Sequence, residues 1–180
     1  MQARYHVLTG GVAAAVLVPA LGAGSAVFFA TAVLIDGDHY LDYIYRNGFR
    51  DFSLRSMFRF HQRLNEKGQR QSLLVLNLLH TVEALAILGL ASAVSGWPWL
   101  QAIFWGMAFH LVTDWVFLYS RGRFSRRAMS LVEYMVRWRS LKRRNLEPER
   151  IYRETMTDIG LAPAAATGSG TAAPLTGEPD

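Results

Sequence analysis

Ile35-Asp36-Gly37-Asp38-His39-Tyr40-Leu41-Asp42 closes the first long apolar run of the chain, and the reading of this stretch decides the fold. Two carboxylates and an imidazole fall between Asp36 and His39. Asp and His are ligands for hard and borderline cations. The plainer reading is a polar helix end at a water boundary. Gly37 would let the chain turn there, so that residues on both sides point inward. No Lys or Arg occurs between Arg4 and Arg46, so these carboxylates have no cation nearby in sequence.

A second gap without Lys or Arg runs from Arg70 to Arg121, although the 180-residue chain carries a net charge of +5. A water-soluble helical protein places basic residues on the wet face of every helix. The two gaps therefore read as membrane. The net charge suggests an anionic partner, and anionic lipid fits it. There is no cysteine, which excludes disulfides and thiolate metal sites.

Residues 6–35 would make a helix of about 45 Å, too long for one crossing of a hydrocarbon core of about 30 Å. Pro19, Gly22 and Gly24 offer a break, which predicts helices over 6–20 and 25–45. A cleaved signal peptide is the competing reading of Arg4 and residues 7–21, but apolar sequence continues past any cleavage point. Residues 72–95 read as a further span. Gly96-Trp97-Pro98-Trp99 reads as an interfacial turn and residues 100–119 as a returning span. Two basic amphipathic stretches separate and follow these. Within residues 46–70, Arg55, Arg59, Arg63 and Lys67 form one stripe, and Leu54, Met57, Phe58, His61 and Leu64 another. Within residues 124–145, Met129, Val132, Met135, Val136 and Trp138 oppose five basic residues. Both read as helices on a lipid surface.

The fold expected is all-α: an integral-membrane bundle of about four membrane helices plus two basic amphipathic surface helices. A single domain covers 1–150, and 151–180 is expected as a flexible tail, Ala/Gly/Thr/Pro-rich from Leu161. Basic segments stay in the cytoplasm, so both termini are expected there, in a bacterial inner membrane. Membrane lipid, through its anionic head groups, is the expected partner. No nucleic-acid motif is present, and the oligomeric state is left open.

The ionisable residues within the apolar segments or at their ends are His6, Asp36, Asp38, His39, His80, Glu83, His110 and Asp114. Such residues are costly in a membrane and mark function. Four carboxylates with no basic partner among them call for protonation, water or bound cations, and two divalent ions would match their charge. His80 and Glu83 at i, i+3, and His110 and Asp114 at i, i+4, share helix faces in the way that bundle-borne metal sites do. All eight are candidate ligands. Asp38 and Glu83 are the candidate general bases. His61 reads as an interfacial histidine and Asp42 as a solvated carboxylate.

These residues resemble the pattern of a family of membrane-bound metal-dependent hydrolases: an N-terminal His (His6), a DxDH (Asp36 to His39), a later His (His80) and an HxxxD (His110 to Asp114). The likeness covers roughly residues 6–118. Zinc-dependent phospholipase C and related nucleases are more distantly similar. Family members often carry HRGxTH around the third His; Val75 and Leu76 stand here in place of its first His and its Arg. The ligand set and the resemblance imply a hydrolase with one to three divalent ions, zinc foremost; a site facing the cytoplasmic leaflet and flanked by arginines suggests phosphoesters or lipid head groups as its substrates. The same residues would also suit a metal or proton transporter, or a metal-stabilised scaffold without catalysis.

Overall fold

The computed structural model describes residues 3–67, 73–122 and 127–161. These residues are all-helical: α1 (Ala3–Leu21), α2 (Gly24–Leu34), α3 (Gly37–Arg46), α4 (Leu54–Lys67), α5 (Val82–Ser95), α6 (Pro98–Ser120), α7 (Leu131–Arg143) and α8 (Pro148–Asp158). A 3₁₀ turn at Leu78–His80 precedes α5. No strand occurs among the described residues, and Val75 and Arg127 form an isolated parallel bridge.

α2 packs between α1 and α6, and α5 lies against α6. Small residues make these approaches close, as in lipid-embedded bundles. A Cβ added to Gly106 would lie 2.5 Å from the carbonyl oxygen of Phe28, so only glycine lets α6 come this near to α2. Gly24 faces Ala102 one turn earlier along the same seam. α5 ends on Gly96 in the left-handed region at φ 63°, and α6 starts on Pro98. This is the common order of a glycine after one helix and a proline opening the next.

The helix expected over 25–45 is divided. α2 ends at Leu34, and a tight turn follows, with Asp38 N donating to Ile35 O and His39 N donating to Asp36 O. Asp36 makes the turn with φ −64° and ψ −6°. Gly37 sits in the first turn of α3 with no positive φ and open space around its Cβ position, so glycine's freedom is not what bends the chain.

The helix expected over 72–95 is shorter as well. Residues 73–77 are non-helical, because their backbone pairs elsewhere: Val75 O accepts from Ala128 N. Thr81 then caps α5, its hydroxyl accepting from Ala84 N.

A second core lies outside this seam. Tyr43 of α3, Phe60 and Leu64 of α4, and Ile151, Tyr152 and Met156 of α8 are buried together. The buried face of α4 is thus Ser56, Met57, Phe60 and Leu64, rotated from the stripe expected, while Leu54 and Phe58 stay exposed. α8 begins on Pro148 with Glu149 in its first turn. It belongs to the packed structure through residue 158, so the tail expected from 151 starts with an ordered helix; residues 162–180 lie outside the described residues. Asp42, expected in solvent, pairs with Arg46 at 2.8 Å, and Arg46 stacks 3.4 Å above the Tyr152 ring.

Among the described residues α6 alone is long and apolar enough to cross a membrane. Of the other expected spans, α2 has 11 residues and α5 has 14. They reach about 16 Å and 21 Å respectively, short of a core of about 30 Å.

Candidate metal centre

α1, the α2–α3 turn, the 3₁₀ turn and α6 bring histidine and aspartate to one place. His6, Asp36, His110 and Asp114 form one group whose ligand atoms all lie within 4.8 Å of one another; Asp36, His39 and His80 form a second. Asp36 belongs to both. Its Oδ1 lies 3.4 Å from Nε2 of each of His39, His80 and His110. His6 Nε2 is 3.2 Å from Asp114 Oδ1 and 3.9 Å from Asp36 Oδ2. Donors bound tetrahedrally to zinc at about 2.0–2.1 Å stand about 3.3 Å apart, so this spacing fits one cation among them.

The tautomers favour that fit. His80 Nδ1 lies 2.8 Å from Asp38 Oδ2, and His110 Nδ1 lies 2.7 Å from Ala32 O. Both partners are acceptors, so both Nδ1 atoms carry hydrogen and donate. The remaining nitrogens, His80 Nε2 and His110 Nε2, then face each other at 3.1 Å. Two bare lone pairs at that distance repel unless a proton or a cation lies between them. His6 stacks on His110 with ring centroids 4.0 Å apart, and its buried Nε2 makes no hydrogen bond. An orphaned donor or acceptor in such a place is expensive, and a ligand bond would satisfy it. The cluster can therefore hold a metal ion.

The site opens at one end. Asp36 and His39 are 25% and 31% exposed, while His6, His80, His110 and Asp114 are buried. Burial raises the Asp36 carboxyl, but the neighbouring imidazoles of His110, His39 and His80 more than reverse this whenever they carry a proton toward it, and so hold it below the ordinary range. Asp38 is also lowered, its burial outweighed by His80 and His39.

Several predicted residues take other places. Asp38 does not join either ligand group: Oδ2 accepts from His80 and Oδ1 from Asn77 Nδ2, so it orients His80. Glu83 does not share a face with His80, because His80 lies on the 3₁₀ turn ahead of α5. Its Oε1 accepts from Ser130 Oγ at 2.5 Å and Leu131 N at 3.0 Å, which places a carboxylate at the α7 N-terminus. His61 anchors the rim from outside: its Nε2 donates to His39 O at 3.0 Å. Burial pushes His61 down to about 4, so the ring is neutral near pH 7.

Two contributors carried no signal in the sequence. Asn77 reaches Asp38 and lies 2.8 Å from His39 Nδ1. Arg127 is buried and donates from Nη1 to Asp114 Oδ2 at 2.7 Å. It is the basic partner that the apolar segments lack. With Glu83 at α7 and Arg127 on Asp114, the three aspartates keep two negative charges in excess, which balance one divalent ion; a second would need a further anion. Comparison with protein-family models, curated proteins and solved structures found no match to this chain.

Proposed function

We propose that this protein is a membrane-embedded, metal-dependent hydrolase of phosphoesters, with its site at the end of an apolar helix bundle. The observation that carries the reading is the pair of facing Nε2 atoms, His80 and His110, each with its other nitrogen already committed as a donor. His6, Asp36, His110 and Asp114 would hold one zinc-like ion, and His39 and His80 would share Asp36 with a second. Such an ion polarises an ester and makes a water acidic enough to attack it.

The chain's own side chains supply the rest. Asp38 and the Ala32 carbonyl fix the tautomers of His80 and His110. Partly exposed Asp36 and His39 would mark the side from which a substrate enters. Closely packed α1, α2 and α6 exclude water from behind.

Membrane location is supported by the outward apolar residues: Val12 and Val16 on α1, Ile87 and Val94 on α5, and Val112 and Val116 on α6 are all more than half exposed. In water they would be a large apolar surface. α7 has no buried residue and combines exposed Val132 and Val136 with four basic residues, which suits anionic lipid. The metal-dependent membrane hydrolases that the motif resembles agree with this reading.

The test is hydrolysis of p-nitrophenyl phosphate, and of phospholipids in mixed micelles, by protein purified in detergent. Activity that needs a divalent ion and falls by more than about a hundredfold in Asp36→Asn supports the proposal, since the shared ligand serves both groups. Metal-replete protein inactive on the whole panel contradicts it.

A further inference from the structure

We propose that Arg127 is the seat of an oxyanion, a phosphate monoester group, beside the metal centre. Its side chain is nine-tenths buried, yet only Nη1 has a partner, Asp114 Oδ2. Nε and Nη2 are buried and make no hydrogen bond. These two atoms are one edge of the guanidinium plane, the edge whose N–H bonds run parallel and grip a phosphate or carboxylate with two hydrogen bonds. Leaving charged donors unsatisfied costs more than a neutral hydrogen bond is worth. A free fork in a buried arginine therefore points to an absent anion.

The position agrees with this. Asp114 Oδ2, which Arg127 holds, is 3.8 Å from His110 Nε2 and 3.9 Å from His80 Nε2. The free edge is one carboxylate away from the facing ring nitrogens. The backbone bridge to Val75 fixes the Cα, and the bond from Nη1 to Asp114 fixes the guanidinium beside the cluster. Charge agrees too. The three aspartates and Arg127 carry two net negative charges, so two divalent ions would leave an excess of two positive charges, which a phosphate dianion neutralises. The anion therefore completes the two-ion form of the site, and this inference rests on the hydrolase reading above. Arg46 and Arg137, by contrast, pair with Asp42 and Glu133.

Inorganic phosphate titrated calorimetrically into the protein as purified, in zwitterionic lipid nanodiscs, is the direct test. A parallel arm replaces free phosphate by phosphatidic acid within the nanodisc, so that head-group and free phosphate are distinguished. Arg127→Lys keeps the charge on Asp114 and removes the fork. Saturable binding to the wild type, weakened about tenfold or more in Arg127→Lys at an unchanged melting temperature, is expected. Arg127→Gln, which keeps a donor but neither charge nor fork, should lose the binding as well, at a lower melting temperature because Asp114 loses its cation. Equal binding by wild type and variants, or no saturable binding to the wild type in either arm, overturns the proposal. Metal content of the same samples tests the hydrolase reading separately: metal present with binding indifferent to Arg127 rejects the oxyanion seat alone.

Discussion

His80 Nε2 and His110 Nε2 stand 3.1 Å apart, and neither ring can turn its hydrogen toward the other without giving up a bond at Nδ1. Asp38 holds one ring and the Ala32 carbonyl the other. The site is thus built to present one lone pair to each of two adjoining ligand groups, which share Asp36.

Asp38 therefore acts through His80. Asp38→Asn should keep the fold and weaken metal affinity by about 10–100-fold, the usual cost of losing a carboxylate behind a ligating histidine. Competition with a chromogenic chelator measures this. An unchanged affinity would show that the His80 tautomer does not depend on Asp38.

His110 is placed by a glycine one turn away. In Gly106→Ala the new methyl group meets the Phe28 carbonyl at 2.5 Å, so α6 must move off α2, where Ala32 holds His110. Overpacking of this kind costs about 1–3 kcal/mol, and metal affinity should fall with it. Gly37→Ala, in open space at an ordinary φ, should be silent in thermal melts and in metal binding.

Much of this site was legible in the sequence because Asp and His are conspicuous within apolar segments. The DxDH and HxxxD residues converge through that logic: His6, Asp36, His39, His80, His110 and Asp114 all reach the cluster. The i, i+3 spacing of Glu83 from His80 puts them on one face only of a continuous helix, and Thr81 begins α5 between them. Arg127 was hidden among neighbouring arginines at 121, 123 and 126; only the pairing of Val75 with residues 127 and 128 selects it. The break at Asp36 carries no proline and no left-handed glycine, so periodicity alone ran the helix through it. α8 shows its start in Pro148 and Glu149, but its burial depends on a partner face formed a hundred residues earlier by α3 and α4.

Glu83 separates structure from ligation. Glu83→Gln should lower the melting temperature by loosening the α7 N-terminus and leave metal content unchanged. Loss of metal from a protein that melts like the wild type would return Glu83 to the ligand set.

The second core has its own pH signature. Burial, and then the hydrogen bond to Asp51 at 2.6 Å, push Tyr43 up to about 12. Its unfolded value is about 10. A raised value contributes stability that is complete below pH 10 and disappears as pH rises toward 12. Alkaline melts should show this loss, and Tyr43→Phe should flatten it. Identical alkaline profiles would remove Tyr43 as the cause.

Metal analysis of the purified protein by mass spectrometry tests the central claim most directly. Wild-type protein extracted in detergent without added chelator should carry stoichiometric divalent metal, and Asp36→Ala, which removes the ligand common to both groups, should carry none while retaining its helical circular dichroism. Wild-type protein free of metal, and unable to take it up on dialysis against zinc, would contradict the account.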